Sequence, residues 1–503
     1  MELPQHHSKS IGALVRMYRH GLGDCFLVRL AKDDGGWFTI LIDCGLIAVA
    51  KKPNDVMGKV VADIATVCEN HLNLVIMTHE HWDHASGFST QQMQSRFAAM
   101  RIDEVWYAWT EDPSNELGAR LRRERESKLN ALVKSTRAIR QKQTPLAAQR
   151  AQRLTAILGF FGVEGPEDPD LAVAAAAPGK TRAAFDYLKE RRGVKKRYCR
   201  PDDAPVSFPG VSGIRAYVLG PPEDEQMLKR STPTKKGREV YDFSFDLALD
   251  DSLAAAFDRI GAALDDTGHA ASHDRDCPFE MALARRPGRP SQPDAAPSPT
   301  LSKLIDARWE PDSEKWRQID DDWTAAAETL ALNLDNHTNN TCLVIAFELL
   351  PSGRVLLFAA DAQVGNWLSW QKVRWRVPGT RSVTGPDLLR RAVFYKVGHH
   401  GSHNATLRTF GLEQMTSSEL VAFLPVFEEQ AQANRWTKMP FNALVQRLRE
   451  RTGGRLVFSD AQRDRPSAEQ LEALTDAERT AFNSGLEVGP APDHLYYEFS
   501  IEA

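Results

Sequence analysis

The stretch "LVIMTHEHWDH", residues 74–84, runs a short apolar segment directly into three histidines, a glutamate and an aspartate. Leu74 to Thr78 read as a buried strand, and His79, Glu80, His81, Trp82, Asp83 and His84 leave its end in a loop. Side chains two apart in an extended segment point the same way, so His79 and His81 reach one ion. Asp83 and His84 follow on the next turn and can hold a second ion beside it. Imidazole nitrogens and carboxylate oxygens suit Zn²⁺, and also Mn²⁺ or Fe²⁺. Upstream, "PNDVMGKVVADIATVCENH" (53–71) has apolar residues at helical spacing. Strand, helix and strand in this order build an α/β layer with the site at a strand's carboxyl end.

Outward from this stretch the chain divides unevenly. At ~150 residues per domain, 503 residues suggest two or three units, or one core with long insertions. The formal charge of −4 excludes a strongly basic nucleic-acid binder on bulk electrostatics, but not a local basic patch. Residues 12–45 contain two β-rich runs around an Asp-Asp-Gly-Gly turn, a hairpin signal. Residues 115–162 are helical in pattern, with Pro145 interrupting. Between Asn115 and Arg153 they carry eleven Lys/Arg against three Glu. A second basic run, "KERRGVKKRYCR", occupies 189–200. Strand character returns at 211–224, and a hairpin of buried strands is expected in 340–362. The expected division is core 1–110, basic helical insertion 111–205, core strand 206–224, second insertion 225–330 and core 331–503. In the second insertion, the segment 281–300 has five prolines and reads as disordered. Six scattered cysteines look like reduced thiols. The first residues show no signal peptide, and no run approaches the ~18 apolar residues of a membrane span. A cytoplasmic protein with no membrane association is expected.

The pattern His-x-His-x-Asp-His, here His79, His81, Asp83 and His84, resembles the hallmark of the metallo-β-lactamase-fold hydrolases. Gly87 follows it, and "LIDCG" upstream supplies Asp43, which the resemblance makes an orienting partner for a ligating histidine. The resemblance implies an α/β fold of the αββα sandwich type, here with large, mainly helical insertions. It also implies further ligands at distant strand ends. "DNHTNNTCLVIAF" offers His337 in a turn before a strand, "RVLLFAADAQ" offers Asp361 as a bridging carboxylate, and "AVFYKVGHHGSHNAT" offers His399 or His400, with His400 preferred. Where the family usually has Gly-Asp, this chain has Ala360-Asp361, and the third-element histidine is often missing from relatives with an "HHGS" ending. Mono- or dinuclear occupancy by Zn²⁺ or Mn²⁺ is the implied cofactor state.

Within that superfamily the likeness is closest to the hydrolase domain of the bacterial DNA-uptake (competence) proteins. It rests on "GLGDCFLV" with Gly23 and Asp24, on "NNTCLV", and on Lys396 to Ser402, and it covers about 1–110, 206–222 and 331–460. The implied activity is a metal-dependent phosphodiesterase, most simply a nuclease acting on DNA through a metal-activated water. Asp83 would act as ligand and acceptor, and His403, Ser402 and Lys396 would assist the phosphate or the leaving oxygen. Arg120, Arg122, Arg123 and Arg125 sit close together on the expected helix and could hold a nucleic-acid strand. Trp82 could stack a base, whereas Trp106 and Trp109 are better placed in the core. An activating protease cutting after Arg285, Arg286 or Arg289 would loosen a lid. Two other classes stay open. One is a small-molecule ester, lactone or cyclic-nucleotide hydrolase with a closed pocket. The other is a catalytically silent scaffold that binds partners.

Overall fold

The computed structural model describes residues 11–47, 52–141, 145–163, 179–230, 322–377, 382–434, 436, 438–460 and 465–503, with side chains in the 322–340 helix from Ala327 onward. Segment 281–300 and Cys277 lie outside the described residues, as does most of the second insertion. The strands are β1 (Ile11–Tyr18), β2 (Cys25–Ala31), β3 (Trp37–Cys44), β4 (His71–Met77), β5 (Arg101–Ala108), β6 (Lys195–Cys199), β7 (Val206–Phe208), β8 (Val211–Gly220), β9 (Val344–Leu349), β10 (Val355–Phe358), β11 (Arg374–Trp375), β12 (Val383–Thr384), β13 (Ala392–Lys396), β14 (Val421–Leu424), β15 (Leu456–Phe458), β16 (Leu486–Val488) and β17 (Tyr496–Glu502). The protein is α/β, built on two large mixed sheets. One runs β16-β17-β1-β2-β3-β4-β5-β6 and the other β15-β14-β13-β10-β9-β8-β7, while β11 and β12 form a two-stranded ribbon.

Alternation along the strands explains why the sheets stack. Val15, Met17, Phe26, Val28, Ile40 and Ile42 of the first sheet share one core with Val218, Ile345, Phe347, Leu356, Phe358 and Phe394 of the second. The intervening residues point outward. On the first sheet Leu27, Leu41 and Val75 meet α1 (Pro53–Val67), α3 (Gln91–Ala99) and α6 (Lys180–Glu190) through Val60, Ile64, Phe97 and Phe185. On the second, Tyr217, Ala346, Leu357 and Tyr395 meet α4 (Glu116–Gln141), α5 (Pro145–Leu158) and α7 (Asp322–Asn340) through Leu132, Leu154 and Leu334. Strands with a period of two between two apolar surfaces can bury both faces only in this way.

Several expectations change in detail. The stretch 12–45 holds three strands, because the Gly-Leu-Gly-Asp turn breaks the first apolar run and leaves β2 and β3 as the hairpin. Pro145 starts α5, where its missing N–H and fixed φ suit a first helical position. Helices of the basic insertion share the core of the second sheet, and the basic run 189–200 supplies β6, which extends the first sheet beside β5. Lysines on an edge strand discourage pairing with another chain. At the far end β17 returns to pair with β1, so 331–503 contributes to both sheets. No helix among the described residues is long and apolar enough to cross a membrane.

Candidate metal centre

The parallel strands β3, β4, β10 and β13 deliver their carboxyl ends to one place. There the Thr78 carbonyl accepts from the Leu343 amide at 2.9 Å, joining the two sheets. Asp43 leaves β3 and accepts from the Thr78 amide (2.8 Å) and hydroxyl (2.6 Å). It also meets His84 Nδ1 at 2.7 Å, which turns His84 Nε2 inward to 3.1 Å from Asp361 Oδ2. His84 and Asp83 lie on the single turn α2 (Trp82–Ala85) after β4. His400 Nδ1 donates to the Pro425 carbonyl at 2.7 Å, and its Nε2 faces Asp83 Oδ2 at 2.8 Å. Asp83, His84, Asp361 and His400 therefore offer ligand atoms within 4.8 Å of one another, and all four are buried. A second such group comprises Asp24, Asp43 and His84. In both histidines one ring nitrogen is taken up by a protein oxygen and the other is aimed at carboxylates, the arrangement of metal-ligating imidazoles.

Two tight turns hold the loop. The Asp24 amide donates to the Asp83 carbonyl at 2.9 Å, and the Gly45 amide donates to the Asp24 carbonyl at 3.0 Å. A Cβ on Gly23 (φ +158°) would come within 2.3 Å of the Gly45 carbonyl oxygen, so only glycine allows this approach. On the opposite side, His399 and His400 have φ of 39° and 51°. Their strained turn is secured where Asp361 Oδ1 accepts the His399 amide at 2.9 Å.

His79 and His81 form the other flank. Their rings lie edge to face at 4.6 Å, and His79 Nε2 and His81 Nδ1 are 3.0 Å apart. His81 Nε2 points to Asp335 Oδ1, 3.8 Å away on α7. His337 is half-buried on the same helix and belongs to neither cluster. The segment expected as a turn is helical, and two residues on a helix turn the side chain by ~200°. Asp335, not His337, therefore faces the histidines. Sequence reading missed Asp335 because only the helical phase of 322–340 shows which residue turns inward.

The electrostatics favour a cation. Burial, followed by His84 and His81, lowers His79 well below an ordinary imidazole; burial holds His81 at about 3 and His399 at about 4. These rings are neutral and have lone pairs to give. Burial would lower His84 too, but Asp361, Asp83, Asp24 and Asp43 hold it well above the usual value. Burial, with Asp83 and Asp361 adding to it, raises Asp335 well above a normal carboxylate. Asp361 lies well below despite burial, chiefly through His84 and Lys396. His81 Nε2, Asp83 Oδ1, His84 Nε2, Asp335 Oδ1 and Asp361 Oδ2 are all buried without a hydrogen-bond partner. Of these, His84 Nε2 and Asp361 Oδ2 face each other at 3.1 Å. Buried acceptors left without a donor are costly, and a divalent ion among Asp83, His84, Asp361 and His400 would satisfy them. The buried His/Asp groups can hold a metal ion.

The residues assigned to substrate are otherwise engaged. Lys396 is buried; its ammonium meets Asp24, Asp361 Oδ1 (3.2 Å) and the Ala360 carbonyl (2.9 Å). Ser402 Oγ lies 2.8 Å from His399 Nδ1 and donates to Asn404. His403 is half-buried with its ring 6.3 Å from Phe441, and it belongs to neither ligand cluster. Arg120 pairs with Glu225 and Glu124; Arg122 donates to the Thr110 and Asp112 carbonyls. Arg125 and Arg182 clamp Glu80, the residue between His79 and His81, and also reach Glu111. Arg120 and Arg123 are exposed and, with Glu116, Leu117 and Ala119, line a shallow depression. Over His81 and His399 lies the Gly159–Phe161 turn after α5. Phe161 meets the His81 ring at 4.8 Å, and Phe160 stacks on Trp436 at 4.7 Å. Trp106 and Trp109 are core residues, the latter donating to the Pro221 carbonyl at 3.0 Å. No family model and no curated protein matches the chain.

Proposed function

We propose that the protein is a metal-dependent hydrolase of the metallo-β-lactamase type. The observation that carries this reading is the convergence of Asp83, His84, Asp361 and His400, all buried, with ligand atoms within 4.8 Å of one another. The two packed sheets with helices outside them support this reading at the level of an α/β fold. Zn²⁺ or Mn²⁺ bound there would supply Lewis acidity and a water of near-neutral pKa. Asp83 presents one oxygen to His400 and keeps the other for the site, so it can accept a proton from an attacking water. Asp43, Pro425 and the His399 turn hold the ligands in place.

For the substrate, a small ester, lactone or cyclic phosphodiester fits better than a nucleic acid. The ligands are almost completely buried, with His79 at 2% exposure, and Phe160, Phe161 and Trp436 gather over them. The arginines expected to hold a DNA strand are mostly committed to carboxylates and carbonyls of the protein itself. The test is turnover of p-nitrophenyl esters, lactones, cyclic nucleotides, plasmid, single-stranded DNA and RNA under Mn²⁺, Zn²⁺ and Mg²⁺. Metal-dependent turnover confined to the small substrates supports the assignment. Cleavage of the polymers at comparable rates would restore the nuclease reading. Turnover that survives chelation, or in His81→Ala, would overturn the metallohydrolase assignment.

A further inference from the structure

We propose that Glu80 is a positioning residue: the insertion helices α4 and α6 grip its carboxylate and so set the loop that presents the candidate metal ligands. The inference rests on the metallohydrolase reading and gives a role to a position that the His-x-His-x-Asp-His pattern leaves open.

The loop has little to hold it locally. The His81 amide donates to the His79 carbonyl at 3.1 Å, so residues 79–81 make a three-residue turn with Glu80 at its apex. The His84 amide donates to the His81 carbonyl at 3.2 Å, so the short helix carrying Asp83 and His84 hangs from the same point. His79 and His81 are buried, and Glu80 between them turns away to the insertion. There Arg125 of α4 and Arg182 of α6 meet the same oxygen of Glu80, Arg182 at 2.7 Å. The side chains of Arg125 and Glu80 are 11% and 12% exposed, so the pair is weakly screened.

The clamp is set by contacts that do not involve Glu80. Arg182 places its Nε and Nη2 on Asp186, one turn along α6, both at 2.6 Å, which leaves Nη1 for Glu80. Glu111 gathers Lys189 (2.6 Å), Arg182 (2.9 Å) and Arg125. Arg122, almost a turn before Arg125, ties α4 to the carbonyls of Thr110 and Asp112 on either side of Glu111. Guanidiniums held in advance lose little freedom on binding a carboxylate, so they define where Glu80 sits. The same arrangement separates positioning from stability. Without the Glu80 charge, Arg125 keeps Glu111, and Arg182 keeps Glu111 and Asp186, so no buried cation is left unpaired. Without the Glu111 charge, Lys189 loses its nearest carboxylate while both arginines keep Glu80. Glu80→Gln should therefore disturb the loop at little cost in stability, and Glu111→Gln should do the reverse.

The experiment titrates the full chain with Co²⁺, whose visible absorption reports ligand geometry. The proteins are wild type, Glu80→Gln, Arg125→Gln, the double variant, and Glu111→Gln and Lys189→Gln as controls. Tm is measured for each, and hydrogen exchange of residues 78–85 is followed in the metal-free chains. Glu80→Gln is expected to bind Co²⁺ roughly 10–100-fold more weakly, the scale of losing an orienting partner, with an altered spectrum and faster exchange across the loop. Arg125→Gln should move in the same direction, and adding it to Glu80→Gln should weaken binding no further, because both changes break one contact. The two controls should lower Tm and leave the cobalt spectrum as in wild type. Wild-type affinity and spectrum in Glu80→Gln, or a spectrum changed equally by the controls, would overturn the role of Glu80 and leave the metallohydrolase reading standing. A wild type that takes up no Co²⁺ would remove both.

Discussion

Ala360 adopts a left-handed backbone, φ 48°, immediately before Asp361. A non-glycine residue there costs roughly 1–2 kcal/mol, offset in part by the entropy a glycine would lose. Ala360→Gly should therefore stabilise the protein by up to about 1 kcal/mol in urea titration without loss of metal; a destabilised variant would mean the turn is not strained. Asp83→Asn keeps the size of the side chain and removes the proton acceptor. It should lower kcat by at least about 100-fold, the scale of losing a positioned base, while the chain stays folded. Wild-type turnover would remove Asp83 from the chemistry. At this scale the sequence was legible where chemistry is local. His79, His81, Asp83 and His84 lie within six positions, and Asp361 and His400 end apolar strands. Asp335 was not legible, because a turn and a helix place residues 335 and 337 on different sides.

Among the elements, α4 shows how charge composition can mislead. Its excess of Lys and Arg is plain in the sequence, but Glu80, Glu111 and Glu225 are distant in the chain and reach it only through folding. Arg122→Ala would leave the Thr110 carbonyl without its guanidinium partner and should cost about 1–3 kcal/mol, with nucleic-acid binding unaffected. Glu111 is the node where Lys189 (2.6 Å) and Arg182 (2.9 Å) of α6 meet Arg125 of α4. Burial alone would raise its carboxyl, but Lys189, Arg182 and Arg125 hold it well below the ordinary 4.5. A depressed folded value means that the stabilisation is complete above that pH and is lost as pH falls from it towards the folded value. Glu111→Gln should cost about 3–5 kcal/mol at pH 7, and the gap from wild type should shrink below pH 4.5. A gap of constant size across that range would show that Glu111 is not the source of the stabilisation.

For the whole molecule, the candidate metal cluster draws together α2 and the strand ends of both sheets, so a bound ion should make stability depend on metal concentration. At free metal 100-fold above its Kd the gain is about 2.7 kcal/mol for one site. Chelation should lower Tm and Mn²⁺ should restore it in a dose-dependent way; a Tm indifferent to both would exclude a site of that affinity. The α/β class was readable from strand and helix periods. The return of the last strand was not, since nothing local in 496–502 says which edge it joins. That return has a consequence in time. Arg16 of β1 pairs with Glu498 of β17 across 482 positions of sequence. A ribosome adding ~5–20 residues per second needs roughly 25–95 seconds between making the two. Until then β1 presents an open edge to every other nascent chain nearby. Expression at lower temperature, or with a holdase present, should therefore raise the soluble yield more than any change made at the candidate metal centre.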